Sequence, residues 1–426
     1  MPSPRALIYT YGTRGDVEPF AALCLGLQAA GFEVLLASSK RFSEWIGDYG
    51  IPFFAMSDTS LAAIESPDGK TMLEGGSGLL RRMAAGYRLA KKSRTINEEL
   101  MKQTWAAAEG FEPDIIVYHS KLFAAPHVAE KLGVPAILAT LQPMLVPTAV
   151  FPAFGLPELS LPGYNRLSYA LVRRSFAMFK TPINRFRKDA LGLPPIRKAG
   201  QVLQPSGAGT IPVLHAISPH VLPRPADWPD SAHLTGYWRL DKSKDYTPPP
   251  ALAAFLENGP PPVFVGFGSM TSADPEVLGR LVTGALRKAG QRGIVAKGWA
   301  GLEIDEGGDI LAIDPTPYDW LFPRMAAVVH HGGAGTAAEG FHAGTPSVIC
   351  PFFGDQPGWA RLSVALGVGA TPVTRKRLSE DALAASILEA VSDDRLRVNA
   401  KRLARELRDE DGVKVAVDFV ARAMRA

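Results

Sequence analysis

One stretch restricts the fold of this 426-residue chain more than any other. From Ala326 to Gly369 it reads AAVVHHGGAGTAAEGFHAGTPSVICPFFGDQPGWARLSVALGVG. The apolar run Ala326–Val329 reads as a buried strand. It stops at His330-His331-Gly332-Gly333-Ala334-Gly335-Thr336 and passes into an Ala-rich helical segment. A second short strand, Pro346–Pro351, ends in Phe352-Phe353-Gly354-Asp355-Gln356-Pro357. Strand, glycine loop, helix and strand in succession build a parallel α/β sheet. The first loop has the layout of an anion site, because glycines let the backbone approach a phosphate and the helix that follows turns its free N–H groups toward it. Neighbouring strands of an open sheet share one crevice at their carboxyl ends. Asp355 and Gln356 are therefore placed to grip hydroxyls carried by the same ligand.

The same alternation runs through the rest of the chain. A strand Ala6–Tyr11 leads through Gly12-Thr13-Arg14-Gly15-Asp16-Val17-Glu18-Pro19 into a helix, Phe20–Ala30, that stops at Gly31. Strands Glu33–Ala37 and Ile51–Ala55 flank a helix around Phe42–Tyr49. Strand Pro113–Tyr118 ends in His119-Ser120-Lys121, before a helix Pro126–Leu132 and a strand Ala136–Ala139. Between His215 and Pro262, proline and charge break the periodicity, which marks an interdomain linker. A second α/β unit starts with strand Val263–Phe267, which runs into Gly268-Ser269-Met270-Thr271 and a helix Pro275–Ala289. Strands Gly293–Ala296 and Ile310–Ile313 follow, the first running into Lys297-Gly298-Trp299. The prediction is an α/β protein of two doubly wound parallel-sheet domains, for which 426 residues at 46% apolar content suffice.

Several side chains stand at strand ends. Gly12-x-x-Gly15 departs from the dinucleotide fingerprint G-x-G-x-x-G, which argues against a nicotinamide or flavin site. Asp16 lies near a helix N-terminus, where a carboxylate serves as a cap or is positioned as a base; its place leaves both roles open. His119 is expected on the same rim, either as the partner of Asp16 in proton handling or tied to backbone. His127 reads as structural. Ser269 either donates to a phosphate or caps its helix. The loop Gln142–Pro162 has Glu158 as its only charge; with Phe176–Phe186 it lines an apolar pocket or covers the core.

Composition removes other classes. Two cysteines, Cys24 and Cys350, sit in apolar runs, so no disulfide framework is expected. The first strand is too short for a signal-peptide core, and no apolar run approaches the ~18 residues of a membrane span, so a cytoplasmic protein is expected. Residues 81–102 carry a net +5 and residues 166–198 a net +8, within a total of +4. Interleaved with Leu and Phe, they read as solvated faces of apolar-backed helices or as basic helices lying on the inner face of an anionic membrane. No nucleic-acid motif accompanies the charge.

Four motifs together carry a family resemblance: GTRGDVEPF, GFGSM, GWAGL, and the run from Asp319 to Gly369 that contains the opening stretch. They resemble the nucleotide-sugar glycosyltransferases of the GT-B fold, and most of all the sterol and lipid glucosyltransferases and the bacterial antibiotic aglycone glycosyltransferases. The resemblance spans both domains, but it does not reach residues 50–112 or the segment from Gln142 to Pro212, which face the acceptor in this family. It implies an N-terminal acceptor domain over 1–225, a linker over 226–262 and a nucleotide-sugar domain over 263–405. A last helix, 406–426, would return to the first domain, and the two domains would face each other across a cleft.

The resemblance also implies roles. His330 or His331, with Gly15, Gly332, Gly333, Gly335, Thr336 and Ser269, would hold the diphosphate. His330 is taken as the histidine that opens the H-x-G-x-x-S motif of plant relatives. Asp355 and Gln356 match the pair on the sugar hydroxyls, and Trp299 and the backbone near Ile313 would lie against the nucleobase. Asp16 matches the proposed general base of the aglycone enzymes, with His119 standing where plant relatives have an aspartate and serving to orient Asp16 or share its charge. The implied reaction is an inverting hexosyl transfer without cofactor or metal. UDP-glucose is the first choice of donor, a dTDP-sugar the second, and the acceptor is an apolar hydroxylated sterol, lipid, polyketide or phenolic. A nucleotide-sugar epimerase of the same fold and a non-catalytic binding protein are the alternatives.

Overall fold

The computed structural model of the chain describes residues 2–59, 62, 97–244, 246–267, 275–297, 304 and 307–425. Ser269, Trp299 and residues 81–96 of the first basic segment lie outside them. Two compact units emerge. The first comprises Met1–Ala153, Glu158–Leu240 and Asp411–Ala426, and the second Phe154–Pro157 and Asp241–Glu410.

The first unit is built on seven parallel strands: β1 (Arg5–Tyr9), β2 (Glu33–Ser39), β3 (Phe53–Met56), β4 (Ile115–His119), β5 (Ala136–Thr140), β6 (Val213–His215) and β7 (Ala232–Leu234). Their order is β3-β2-β1-β4-β5-β6-β7. Ala6, Leu7, Ile8 and Tyr9 of β1 and Ile115 to Tyr118 of β4 are all buried, as continuous apolar runs must be when helices cover both faces of a parallel sheet. The order reverses between β1 and β4, which pair in register Tyr9 to Tyr118, so the residues that follow these two strands emerge side by side. Helix α1 (Arg14–Ala29) follows β1 and buries Phe20, Leu23, Cys24 and Leu27 in the same core as Ala6 and Ile8. The C-terminal helix Gly412–Ala423 packs on α1 within this unit. Gly26 permits the close approach, because a Cβ there would meet the Val413 and Val417 side chains.

The strands of the first unit up to β5 fall within two residues of their expected positions. The region expected to be a linker does not: β7 lies inside it, Trp238 is buried, and the units divide at Leu240/Asp241. The segment Gln142–Pro162 forms no strand or helix. Helix α2 (Tyr164–Ser175) follows it.

The second unit holds five parallel strands, β8 (Val263–Gly266), β9 (Gly293–Ala296), β10 (Ile310–Ile313), β11 (Ala327–His330) and β12 (Ser347–Ile349), in the order β10-β9-β8-β11-β12. Here the order reverses between β8 and β11. Helices α3 (Ala334–Ala343) and α4 (Gln356–Ala365) follow β11 and β12. The strands are short, β8, β11 and β12 are fully buried, and Cys24 and Cys350, one in each unit, are free and buried.

Candidate active site

In the first unit the reversal point gathers Asp16, His119 and Lys121. Thr13 caps α1, and Asp16 is the third helical residue. The Thr13 backbone N–H donates to Asp16 Oδ2 at 2.8 Å and the Thr13 hydroxyl donates to the same oxygen at 3.1 Å. This is the reciprocal capping box of a helix start. Asp16 Oδ1 accepts from Lys121 Nζ at 2.6 Å. Burial alone would push the Asp16 pKa up. The Lys121 ammonium, His119 and the two Lys121 and Thr13 hydrogen bonds outweigh it and hold the carboxyl below its ordinary value. Asp16 is therefore both the helix's capping-box partner and an ionised carboxylate at a strand-end rim.

His119 lies against the same site without bonding to it. It is the last residue of β4, 1% exposed, its ring edge-on to Phe20 with centroids 5.7 Å apart. Neither ring nitrogen has a hydrogen-bond partner among the described residues. Burial and the Lys121 charge push its pKa down to about 4, against an opposing pull from Asp16. The expected direct pairing of Asp16 with His119 is thus replaced by an ion pair to Lys121. The physical reason is position: a strand-terminal side chain stays inside the sheet's cover, while a lysine two residues into the loop is long enough to reach back. Lys121 was not anticipated. Its signal in the sequence was its place in the loop after β4, the strand next to β1. Gly15, in the first turn of α1, is exposed. His127 is structural as expected, with Nε2 3.1 Å from the Val202 carbonyl and Nδ1 2.8 Å from Arg187 Nη1.

In the second unit β11 ends at His330. That ring is 0% exposed, and its Nδ1 accepts from the Gly332 N–H at 3.1 Å, which leaves the ring proton on Nε2. Burial and neighbouring His331 push its pKa down to about 3. His331 is less enclosed and lies over Gly333, since a Cβ on Gly333 would sit 2.6 Å from His331 Nε2. Its pKa is pushed down to about 4 by burial, so it too is a neutral donor at physiological pH. Gly332 turns at φ +86°, a conformation that favours glycine. Helix α3 begins directly after Gly333, with no side-chain hydrogen bond on its cap, and Gly333, Ala334, Gly335 and Thr336 are all accessible. The first N–H groups of such a helix have no partner inside it and carry the positive end of its dipole.

Beside it, the loop after β12 is held by its own side chains. Gln356 Oε1 accepts from the backbone N–H groups of Phe352 at 2.8 Å and Phe353 at 3.1 Å, and Asp355 Oδ2 accepts from Trp359 Nε1 at 2.8 Å. Trp359 is fully buried, so the carboxylate of Asp355 is anchored to the core. Ile313 closes β10, buried among Phe264, Leu321 and Phe322, and its carbonyl accepts from the Lys297 N–H at 3.2 Å.

Residues 6–151 match the glycosyltransferase family 28 N-terminal domain, and residues 307–418 match the erythromycin biosynthesis protein CIII-like C-terminal domain. The sterol 3-beta-glucosyltransferase UGT80A2 of Arabidopsis thaliana is 34% identical over 428 residues, covering 98% of this chain and 65% of its own. A sterol 3-beta-glucosyltransferase of Aspergillus clavatus is 33% identical over 438 residues, covering 99% of this chain and 30% of its own. The chain therefore spans about two thirds of the plant relative's length and under a third of the fungal one's. Among solved structures, the calicheamicin glycosyltransferase CalG4 superposes with a TM-score of 0.70 at 16% identity, covering 100% of this chain and 99% of its own. That likeness establishes the GT-B fold.

Proposed function

The chain belongs to the UDP-glycosyltransferase family, and we propose that it moves glucose from UDP-glucose to the hydroxyl of a sterol, in a single inverting step that uses no metal. A dTDP-sugar is the second choice of donor, and a lipid, polyketide or phenolic the second class of acceptor. The observation that carries the reading is the pair of reversal points: one sheet presents an ionised carboxylate there, the other an uncapped helix N-terminus behind a glycine loop.

In this reading Asp16 takes the proton of the acceptor hydroxyl as its oxygen attacks the anomeric carbon. The bond from that carbon to the diphosphate oxygen breaks, its electron pair leaves with the diphosphate, and the configuration inverts. The N–H groups at the start of α3, with Gly333, Gly335 and Thr336, meet the charge that develops on the leaving group. His331 takes the role first given to His330, because His330 is sealed and already bonded to Gly332. Read from His331, the motif H-x-G-x-x-[S/T] also places Gly333 third and Thr336 sixth. Asp355 and Gln356 receive the sugar hydroxyls on a loop their own bonds hold still, and the backbone near Ile313 receives the nucleobase; the same role for Trp299 rests on the family resemblance alone. Incubation with UDP-glucose or dTDP-glucose and cholesterol, read by mass spectrometry and proton NMR, tests the proposal. A β-glucoside formed in the presence of a chelator is expected; an α-glucoside or turnover of the donor without acceptor refutes it.

A membrane surface is the natural place to meet such an acceptor, and we extend the proposal to it. No helix among the described residues is long and apolar enough to cross a membrane. Leu167 and Leu171, one turn apart on α2, are 55% and 50% exposed, with Arg173 and Arg174 beside them and Met178 71% exposed beyond. Flotation with anionic but not neutral vesicles is expected, lost in Leu171→Glu; equal behaviour with both vesicles returns this face to a solvated one.

A further inference from the structure

We propose that Lys121 is a positioning residue for Asp16: its ammonium fixes which carboxylate oxygen is left to receive the acceptor's proton and keeps the group charged until that proton arrives. The inference rests on the reading of Asp16 as the base.

The hydrogen-bond arrangement makes the two oxygens unequal. Oδ2 accepts two bonds, from the Thr13 N–H and the Thr13 hydroxyl, and so has both lone pairs engaged. Oδ1 accepts one bond, from Lys121 Nζ at 2.6 Å, and keeps a lone pair. A proton transferred to Asp16 therefore arrives on Oδ1, beside the ammonium. The side-chain exposures match this. The Lys121 side chain is 48% exposed and that of Asp16 only 9%, so the lysine approaches from the open side of the rim.

The backbone makes room for this pair. Gly12 stands at φ +145°, a conformation close to glycine-only, and a Cβ there would run into the Asp16 carboxylate and lie 2.8 Å from Lys121 Nζ. The remaining charged groups nearby are accounted for. His119 is buried without a hydrogen-bond partner among the described residues, and its pKa is pushed down to about 4. Arg14, in the first turn of α1, is turned to Glu18 and lies over the Trp45 ring. Among the described residues, Lys121 is left as the cation in contact with the carboxylate. The opposite charge at this range favours the ionised carboxylate and lowers the Asp16 pKa.

Lys121→Met and Lys121→Arg test this, with Asp16→Asn measured in parallel. The readouts are kcat/KM against pH and nucleotide affinity by calorimetry. In Lys121→Met the acidic limb of kcat/KM is expected to move to higher pH, with the plateau kcat lowered and UDP affinity unchanged. Lys121→Arg is expected to return the limb toward its original position. His119 also feels Lys121, so the limb must move in Lys121→Met/His119→Gln as well. An unmoved limb in Lys121→Met, while Asp16→Asn is inactive, overturns the role of Lys121 alone. Near-normal turnover by Asp16→Asn overturns the reading of Asp16 on which it rests.

Discussion

Gly332→Ala perturbs the loop after β11, to which the proposed function gives the diphosphate, at its tightest point. Gly332 lies at φ +86°, where a residue with a Cβ costs about 1–2 kcal/mol. The new methyl would also meet Ile349 Cγ2 at 2.5 Å and the Gln356 carbonyl at 3.3 Å. Neither neighbour yields easily, because Ile349 is a buried residue of β12 and the other contact is backbone. Overpacking of this kind costs about 1–3 kcal/mol, so the sum is about 2–5 kcal/mol. For a unit of this size that lowers the unfolding midpoint by roughly 4–20 °C. The loop must relieve the clash by shifting His331 and the start of α3, so UDP affinity should fall as well. Gly354→Ala separates the two causes: Gly354 has φ +65° but nothing within 4 Å of a Cβ. It should lose about 1–2 kcal/mol only. Calorimetric melting of both variants, with UDP titrated into each, checks the reasoning. Equal losses in the two variants would refute the steric argument, and unchanged UDP affinity in Gly332→Ala would detach this loop from donor binding.

Two further outcomes concern stability. Arg187 and Glu130 form a buried ion pair at 2.5 Å, with side chains 3% and 11% exposed, and Arg187 also donates to the Pro194 carbonyl. Glu130→Gln leaves that guanidinium uncompensated and should cost about 3–5 kcal/mol in guanidinium-induced unfolding, whereas a loss under about 1 kcal/mol would show the pair to be dispensable. Burial lowers the pKa of His119, His215 and His331 to about 4 and of His127 and His330 to about 3. The unfolded chain, with histidines near 6.5, takes up protons first, so this stability is fully present above about pH 6.5 and is lost as pH falls toward 4. At pH 5 each histidine accounts for at most about 2 kcal/mol of the loss. Urea unfolding at pH 7.5 and pH 5 should show a marked drop, and a flat profile would mean that these rings are solvated.

What the sequence made legible, and what it hid, follows from how each part is specified. Strands β1, β4, β8 and β11 are buried runs of four or five apolar residues that stop at glycine, histidine or charge, so their ends could be read directly. Strands β6 and β7 are three residues each, flanked by proline and carrying His215 and His233, too short for a period-2 pattern to register. The ion pair of Asp16 joins residues 105 apart and exists only because β1 and β4 are neighbours. Spacing along the chain is blind to that contact, though the 3-2-1-4 strand order of a doubly wound sheet contains it.

The two histidines that sequence reasoning favoured, His119 and His330, share one fault of position. Each is the last residue of a strand at a reversal point, and each is sealed, at 1% and 0% exposure. The residues just beyond them, Lys121 and His331, are the ones that emerge. A parallel strand covered on both faces buries its final side chain along with the rest, and accessible chemistry begins in the loop, where the backbone leaves the sheet. Applied to both units, this offset moves the contact with Asp16 from His119 to Lys121 and, in the function proposed above, the histidine assigned to the diphosphate from His330 to His331. The two strand-terminal imidazoles are left neutral and enclosed beneath the accessible loops.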